Sequence, residues 1–275
     1  MTDMSTKYSA DRAETRKTMQ KRKESARVHS QREIAPGIFD MRIETGLAQD
    51  AVPGQFVCLY PKDKSMLLPR PISICEADAA QGILRLVYRV AGKGTTEFSA
   101  YEAGDEIAIL GNLGNGFPYE QARDKTVFLM GGGIGIPPML ELAKRLDARK
   151  HILVGYRDGR TFLKEDLEKC GEVHIATEDG SVGTKGNILD ALHAEGLHAD
   201  MIFACGPMPM LRAVKQYAAQ VGIPAYISLE EHMACGVGAC LGCVVKTKEI
   251  DAHSHVHNAR ICTDGPVFAA EEVEI

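Results

Sequence analysis

The chain has 275 residues, 45% hydrophobic and 25% charged, proportions of an ordinary globular protein that exclude disordered and collagenous classes. Its 32 Lys and Arg against 37 Asp and Glu leave a net charge of -5, which offers no general electrostatic reason to bind nucleic acid or an anionic membrane. The longest uncharged run rich in apolar residues, Thr126 to Leu140, is short and broken by Gly and Pro, so it cannot span a bilayer.

Residues 1–33 carry nine Lys and Arg and five Asp and Glu and have no hydrophobic segment of the kind a secretory signal needs. They read as a charged N-terminal extension, either a solvated and partly helical arm or a basic arm touching a partner or RNA. A cytoplasmic location is expected. The folded part is expected to start near Glu33. Phe56–Tyr60, Pro71–Cys75, Ile83–Val90 and Glu106–Leu110 are rich in Val, Ile and Leu and bounded by Gly, Pro and Asp, which predicts a small antiparallel β-barrel over residues 34–122. From Thr126 the rhythm becomes strand, Gly-rich turn, helix. Apolar runs at Val127–Met130, His151–Tyr156, Val173–Thr177 and Met201–Cys205 alternate with helical stretches at Ile136–Leu146, Gly186–Ala194 and Met208–Gln220. That alternation predicts a parallel α/β sheet over residues 123–228. A small cysteine-rich domain over residues 229–275 completes the expected architecture.

Cys235, Cys240, Cys243 and Cys262 give the pattern C-x4-C-x2-C-x18-C. The first three have the spacing of plant-type [2Fe–2S] ligation. Four thiolates must converge on two irons, and Gly236, Gly238 and Gly242 permit the tight loop this needs, with amide N–H groups free to face sulfur. The competing reading is a four-cysteine zinc site, for which the second C-x2-C knuckle is missing. Cys58, Cys75 and Cys170 read as small buried hydrophobes. His253, His255 and His257 are either a period-two metal set or a solvated hairpin tip.

Gly131, Gly132, Gly133 and Gly135 follow the run Val127–Met130 and open a helix that begins with Pro137 and Pro138. Such a turn lets backbone approach a pyrophosphate at a helix N-terminus, or serves as a tight structural turn. The segment Thr177–Gly186 and Cys205, Gly206 and Pro207 leave other strand ends at the carboxyl edge, where ligands bind in parallel sheets. In the barrel region, Arg70-Pro71-Ile72-Ser73 combines a cation, a stiff turn and a hydroxyl, and Val87-Tyr88-Arg89 precedes the small-residue turn Gly92–Thr96. These are flavin contacts or structural turns.

The order RPIS, YR…GKGT, GGGIGIPP, CGPMPM, MACGVGACLGC and a final cysteine resembles the ferredoxin–NADP reductase superfamily, and within it the electron-transfer subunits of NAD-dependent dihydroorotate dehydrogenases. The resemblance covers about residues 34 to 272. It implies a β-barrel FAD domain, an α/β NAD domain and a C-terminal [2Fe–2S] domain. It further implies that Arg70, Pro71, Ile72, Ser73, Val87, Tyr88 and Arg89 hold FAD, with Gly94 and Thr95 on its pyrophosphate. Gly131, Gly132, Gly133, Gly135, Cys205, Gly206 and Pro207 would hold NAD(H), with Cys205 expected to face the nicotinamide. Cys235, Cys240, Cys243 and Cys262 would ligate the cluster. The partner implied is an FMN-containing catalytic subunit, in a heterotetramer of two chains of each kind serving de novo pyrimidine (UMP) biosynthesis. No base for dihydroorotate oxidation is expected in this chain. The rival is the reductase subunit of another NAD(P)H-linked complex, of ferredoxin–NADP reductase or sulfhydrogenase type; a carboxylate among the cluster ligands would mark the transhydrogenase kind, and four cysteines favour the first reading.

Overall fold

Six strands close a barrel in the N-terminal half: β1 (Arg22–Ala35), β2 (Ile38–Glu44), β3 (Phe56–Tyr60), β4 (Arg70–Asp78), β5 (Ile83–Arg89) and β6 (Glu106–Leu113). They follow one another in space as β1-β2-β5-β4-β3-β6, with a short helix α1 (Lys93–Ser99) between β5 and β6. This computed structural model describes residues 21–250 and 256–275. Met41, Ile43, Leu59, Leu84 and Leu86 fill the barrel from alternate positions of its strands, and Phe98 of α1 packs with them.

The expected extension over residues 1–33 is corrected for its second part. Residues from Arg22 onward form β1, which pairs with both β2 and β6 and so closes the barrel. Within β1 only Ala26 and Val28 are buried, and most of the remaining side chains face water, so the charges of a solvated strand face mimic those of a free arm. Residues 1–20 of the expected arm lie outside the described residues, as do His253 and His255.

The second half is a seven-stranded sheet, six of its strands parallel. Its parallel strands are β7 (Thr126–Gly132), β8 (Arg149–Tyr156), β9 (Glu172–Thr177), β10 (Thr184–Lys185), β11 (Met201–Cys205) and β12 (Ala225–Ser228). Crossover helices α2 (Pro137–Arg145), α3 (Lys164–Glu168), α4 (Ile188–Ala194) and α5 (Met208–Val221) connect them. The parallel strands are buried along most of their length, which explains their near-continuous apolar runs.

The C-terminal segment does not stand apart from this sheet. β15 (Val267–Ala269) pairs antiparallel with β12 and adds an edge strand. Beyond it, β13 (Val244–Thr247), β14 (Asn258–Arg260) and β16 (Val273–Glu274) form a small three-stranded sheet. Among the described residues no helix is long and apolar enough to cross a membrane.

Candidate cofactor sites

The end of β12 runs into the segment that carries both candidate sites. Glu230 lines a cleft of about 840 Å³, and Cys235 begins the cysteine loop only five residues later. The cleft opens at the carboxyl edge of the parallel sheet, between Gly132 and Gly133 on one side and Arg89 of the barrel on the other. Pro207 and Met210, at the start of α5, form a further wall, and Glu178 and Gly186 carry the Thr177–Gly186 loop to the rim. The Ser181 hydroxyl of that loop donates to Asp179 Oδ1 at 2.6 Å.

Local sequence explains why this edge is open. Gly135 presses on the backbone of Cys205 and Gly206, where a β-carbon would collide with the Cys205 carbonyl. The two turns therefore meet backbone to backbone, and α2 starts beside them with Pro137 at its first position. The packing also sorts the predicted residues. Gly132, Gly133 and Pro207 line the cleft, whereas Gly131, Gly135 and Gly206 lie buried behind it. Cys205 ends β11 next to Ser228 and to Glu230 of the cleft wall. Its side chain is buried in the core between sheet and barrel, and burial pushes its thiol well above the usual range. The Glu230 carboxyl is likewise raised by the protein around it, against the pull of Arg89, although solvent in the cleft still reaches it.

The barrel wall is divided by the period of two. Arg89 reaches the cleft and Val87 packs toward the sheet, but Tyr88 points the other way. Its ring is buried in the barrel against Phe39, and its hydroxyl donates to Gln31 Oε1 at 2.8 Å. Tyr88 is therefore not brought to the cofactor wall by its side chain. Arg70, Pro71, Ile72 and Ser73 open β4, all half-buried. The Arg70 guanidinium lies over Gly94 at the start of α1, with its Nε 2.5 Å from where a β-carbon would stand. A fixed cation over a side-chain-free helix start suits a phosphate. Thr95 contributes loop shape: its hydroxyl accepts from the amides of Ala91 and Gly92 at 2.9 and 3.1 Å.

In the cysteine loop the four sulfurs meet as two pairs, Cys235 with Cys240 and Cys243 with Cys262. Among the described residues no three of them fall within 4.8 Å of one another. A single tetrahedral zinc needs all four on one small polyhedron, whereas two irons joined by sulfides need two thiolates each, so the arrangement fits the [2Fe–2S] group. The backbone supports thiolates. Amides of Val237 and Ala239 donate to Cys235 Sγ at 3.4 and 3.3 Å. Burial works to raise the Cys235 thiol, but these amides and that of Cys240 hold it down to about 6. Cys262 is pushed up to about 12 by burial and by neighbouring Cys243, the repulsion expected of thiolates gathered without a metal. The buried Thr263 Oγ1 beside Gly238 has no partner among the described residues, an orphaned polar atom that also suits an absent sulfur acceptor.

Two residues enter the site without a sequence signal. Cys58 of β3, read as an inert core thiol, faces Gly236 of the loop, and burial with nearby Cys235 and Cys243 raises it to about 12. Cys58 also pairs in register with Pro71, so the cluster loop abuts the strand next to Arg70–Ser73. Asn115, just past β6, donates twice across to the C-terminal segment: its N–H to Gly265 O at 2.8 Å and its Nδ2 to Asp264 O at 2.9 Å. These bonds tie the barrel to the turn that follows Cys262.

Comparison with known proteins agrees with this geometry. The family described as the iron-sulfur cluster binding domain of dihydroorotate dehydrogenase B matches residues 230–274, the stretch that holds all four paired cysteines. The protein named dihydroorotate dehydrogenase B (NAD(+)), electron transfer subunit, from Lysinibacillus sphaericus is 40% identical over 253 residues, covering 90% of this chain and 96% of that protein. Its namesake from Geobacillus kaustophilus is 42% identical over 258 residues, covering 91% and 98%. A solved structure of the NADH-dependent reduced ferredoxin-NADP oxidoreductase aligns with a TM-score of 0.81 at 28% identity, over 90% of this chain and 89% of that one. The ferredoxin NADP+ reductase of Neisseria gonorrhoeae, at 18% identity and a TM-score of 0.59 over 77% of this chain and 95% of that one, shares the fold. With four in ten residues shared along nine-tenths of its length, the chain belongs to the family of electron transfer subunits of NAD-dependent dihydroorotate dehydrogenase B.

Proposed function

We propose that this chain carries electrons from an FMN-containing, dihydroorotate-oxidising catalytic subunit to NAD+, in the cytoplasm, as part of a heterotetramer with two chains of each kind serving pyrimidine synthesis. A [2Fe–2S] cluster supplies one-electron transfer, nicotinamide takes up a hydride, and FAD joins them because it exchanges electrons singly or in pairs. Cys235 and Cys240 hold one iron, and Cys243 and Cys262 hold the other. Arg70 to Ser73, with Val87 and Arg89, hold FAD, and the Arg70 cation over Gly94 and Thr95 meets its pyrophosphate. Gly132, Gly133 and Pro207 receive NAD(H), with Gly131, Gly135 and Gly206 shaping the turns behind them.

The observation that carries this reading is the continuity of the sites. Gly236 of the cysteine loop touches Cys58, Cys58 pairs with Pro71 of the flavin strand, and Glu230 of the same loop segment lines the nucleotide cleft. Three carriers on these residues would stand in one short series, as sequential transfer requires.

The test is purification under anaerobic conditions followed by two assays. The chain alone should show flavin and iron–sulfur absorption that bleaches with NADH. It should support dihydroorotate-linked NAD+ reduction only after an FMN-containing partner is added. A colourless protein, or one that copurifies with a hydrogenase and never couples to dihydroorotate, overturns the proposal.

A further inference from the structure

A second group of ligand-type side chains lies far from these sites, at the opposite end of the parallel sheet. His151 sits near the start of β8 and His174 near the start of β9, both at least nine-tenths buried. Glu172 opens β9 directly across from His151 in register. Gly155, on the cleft wall, is four residues along β8 from His151, about 13 Å at the rise of a strand.

His151 Nδ1 is 3.1 Å from His174 Nε2 and 3.2 Å from Glu172 Oε2. All three atoms lie within 4.8 Å of one another. A tetrahedral zinc with bonds of about 2.0–2.1 Å separates its donors by about 3.3 Å, so the spacing is already that of a coordination edge. The second layer is also in place. His174 Nδ1 is 2.6 Å from Glu195 Oε2, just past α4. A proton held on Nδ1 by that carboxylate turns the Nε2 lone pair toward His151 Nδ1, where it accepts a hydrogen bond without a metal and would face the ion with one, the carboxylate–histidine arrangement that fixes ligand tautomers. Glu172 and Glu195 supply two negative charges near His151 against the one positive charge of Arg149. The Glu172 side chain is 61% exposed, which gives a cation a path from solvent to two buried imidazoles.

We propose that His151 Nδ1, His174 Nε2 and Glu172 Oε2 form a binding site for one divalent cation of the zinc type. A water completes the coordination, and Glu195 orients His174. Bound there, the ion joins β8 to β9 and, through Glu195, to the end of α4. None of these residues belongs to the electron-transfer sites, so the proposal stands independently of the function above.

The test uses the full chain loaded with flavin and cluster, treated with a chelator, supplied with zinc and desalted. Metal analysis should find about one zinc per chain, in addition to an undiminished iron content. X-ray absorption at the zinc edge should show nitrogen and oxygen neighbours and no sulfur. Glu172→Gln, at an exposed position that leaves the fold intact, should weaken zinc binding at least about tenfold in chelator competition. His174→Gln should abolish it with iron and flavin contents unchanged. Absence of zinc beyond trace, sulfur neighbours from displaced cluster cysteines, or unaltered affinity in Glu172→Gln would each overturn the site.

Discussion

Thr263 carries a hydroxyl that is shielded from solvent, lies beside Gly238 of the cysteine loop and has no protein acceptor among the described residues. A donor aimed at sulfur favours the more negative, reduced state of a cluster, so its removal should lower the midpoint potential. Thr263→Val is expected to shift that potential negative by roughly 40–60 mV, the equivalent of about 1 kcal/mol for one hydrogen bond, while Thr263→Ser stays near the parent. A potentiometric titration followed by electron paramagnetic resonance reads this directly; equal potentials in Val and Ser variants would remove the hydroxyl from the account. Glu230 has the opposite character, a solvent-reached carboxyl on the cleft wall that the protein packed around it raises above its ordinary range against the pull of Arg89. Its cost to stability is absent below the ordinary carboxyl range, grows as pH rises past that range, and is complete once the raised value is passed. Glu230→Gln should therefore melt higher than the parent at about pH 8 and equal to it at about pH 4, with no NAD present. At this scale the sequence was legible where chemistry is carried by residue type: the four cysteines, Arg70 and the glycine turn. It was opaque where direction matters, since adjacent Val87, Tyr88 and Arg89 look alike as a motif but alternate between barrel core and cleft.

Strands buried on both sides announce themselves, and those at Phe56–Tyr60 and Met201–Cys205 have the bounds their apolar runs suggest. β1 does not, because a barrel strand with two buried side chains in fourteen residues has almost no apolar pattern to read. Its role is visible only in pairing: Arg22 to Arg27 align with Gly111 to Glu106 of β6, and Arg27 onward aligns with β2. Removing residues 2–33 would strip β2 and β6 of a partner, open the barrel and expose its apolar interior. Removing residues 2–20 leaves β1 whole. The longer deletion is expected to yield aggregated protein without flavin, and the shorter one soluble protein with parental flavin content and melting temperature. Flavin-to-protein absorbance ratios and size-exclusion profiles of the two truncations decide this. A soluble, flavin-loaded product of the longer deletion would show that β1 is dispensable.

The two halves of the molecule are joined by a buried charge network rather than by apolar packing alone. Arg85 of β5 donates to both carboxylate oxygens of buried Asp40 at 3.0 and 2.9 Å, to Glu76 of β4 at 3.2 Å, and across the boundary to Asp166 of α3 at 2.8 Å. Glu76 in turn accepts from Lys144 of α2 at 2.5 Å, so two helices of the sheet domain hold one barrel wall. This wall carries Val87 and leads to Arg89 at the cleft, which makes the network a support for the relative placement of flavin wall and nucleotide turn. Burial works to raise the carboxyls of Glu76 and Asp166, but Lys144 and Arg85 on the first, and Arg85 and Lys169 on the second, hold both below their ordinary values. Carboxyls lowered in this way stabilise the fold at all pH values above the ordinary carboxyl range. Their contribution is lost as pH falls below that range through the lowered values. Arg85→Met leaves buried Asp40 with only the exposed Arg32 guanidinium at 3.8 Å and is expected to cost about 3 kcal/mol at neutral pH. Asp166→Asn leaves the Arg85–Asp40 pair intact at a partly exposed position and should cost no more than about 1 kcal/mol. Urea unfolding of both variants and the parent, from neutral pH down to about pH 3, tests the ranking and its sign. The parent should lose stability steeply on the acid side, and Arg85→Met should start lower and fall less, because the carboxyls it leaves behind have lost the partner that held them down. An Arg85→Met protein as stable as the parent would mean that hydrophobic contact, not the network, fixes the barrel against the sheet.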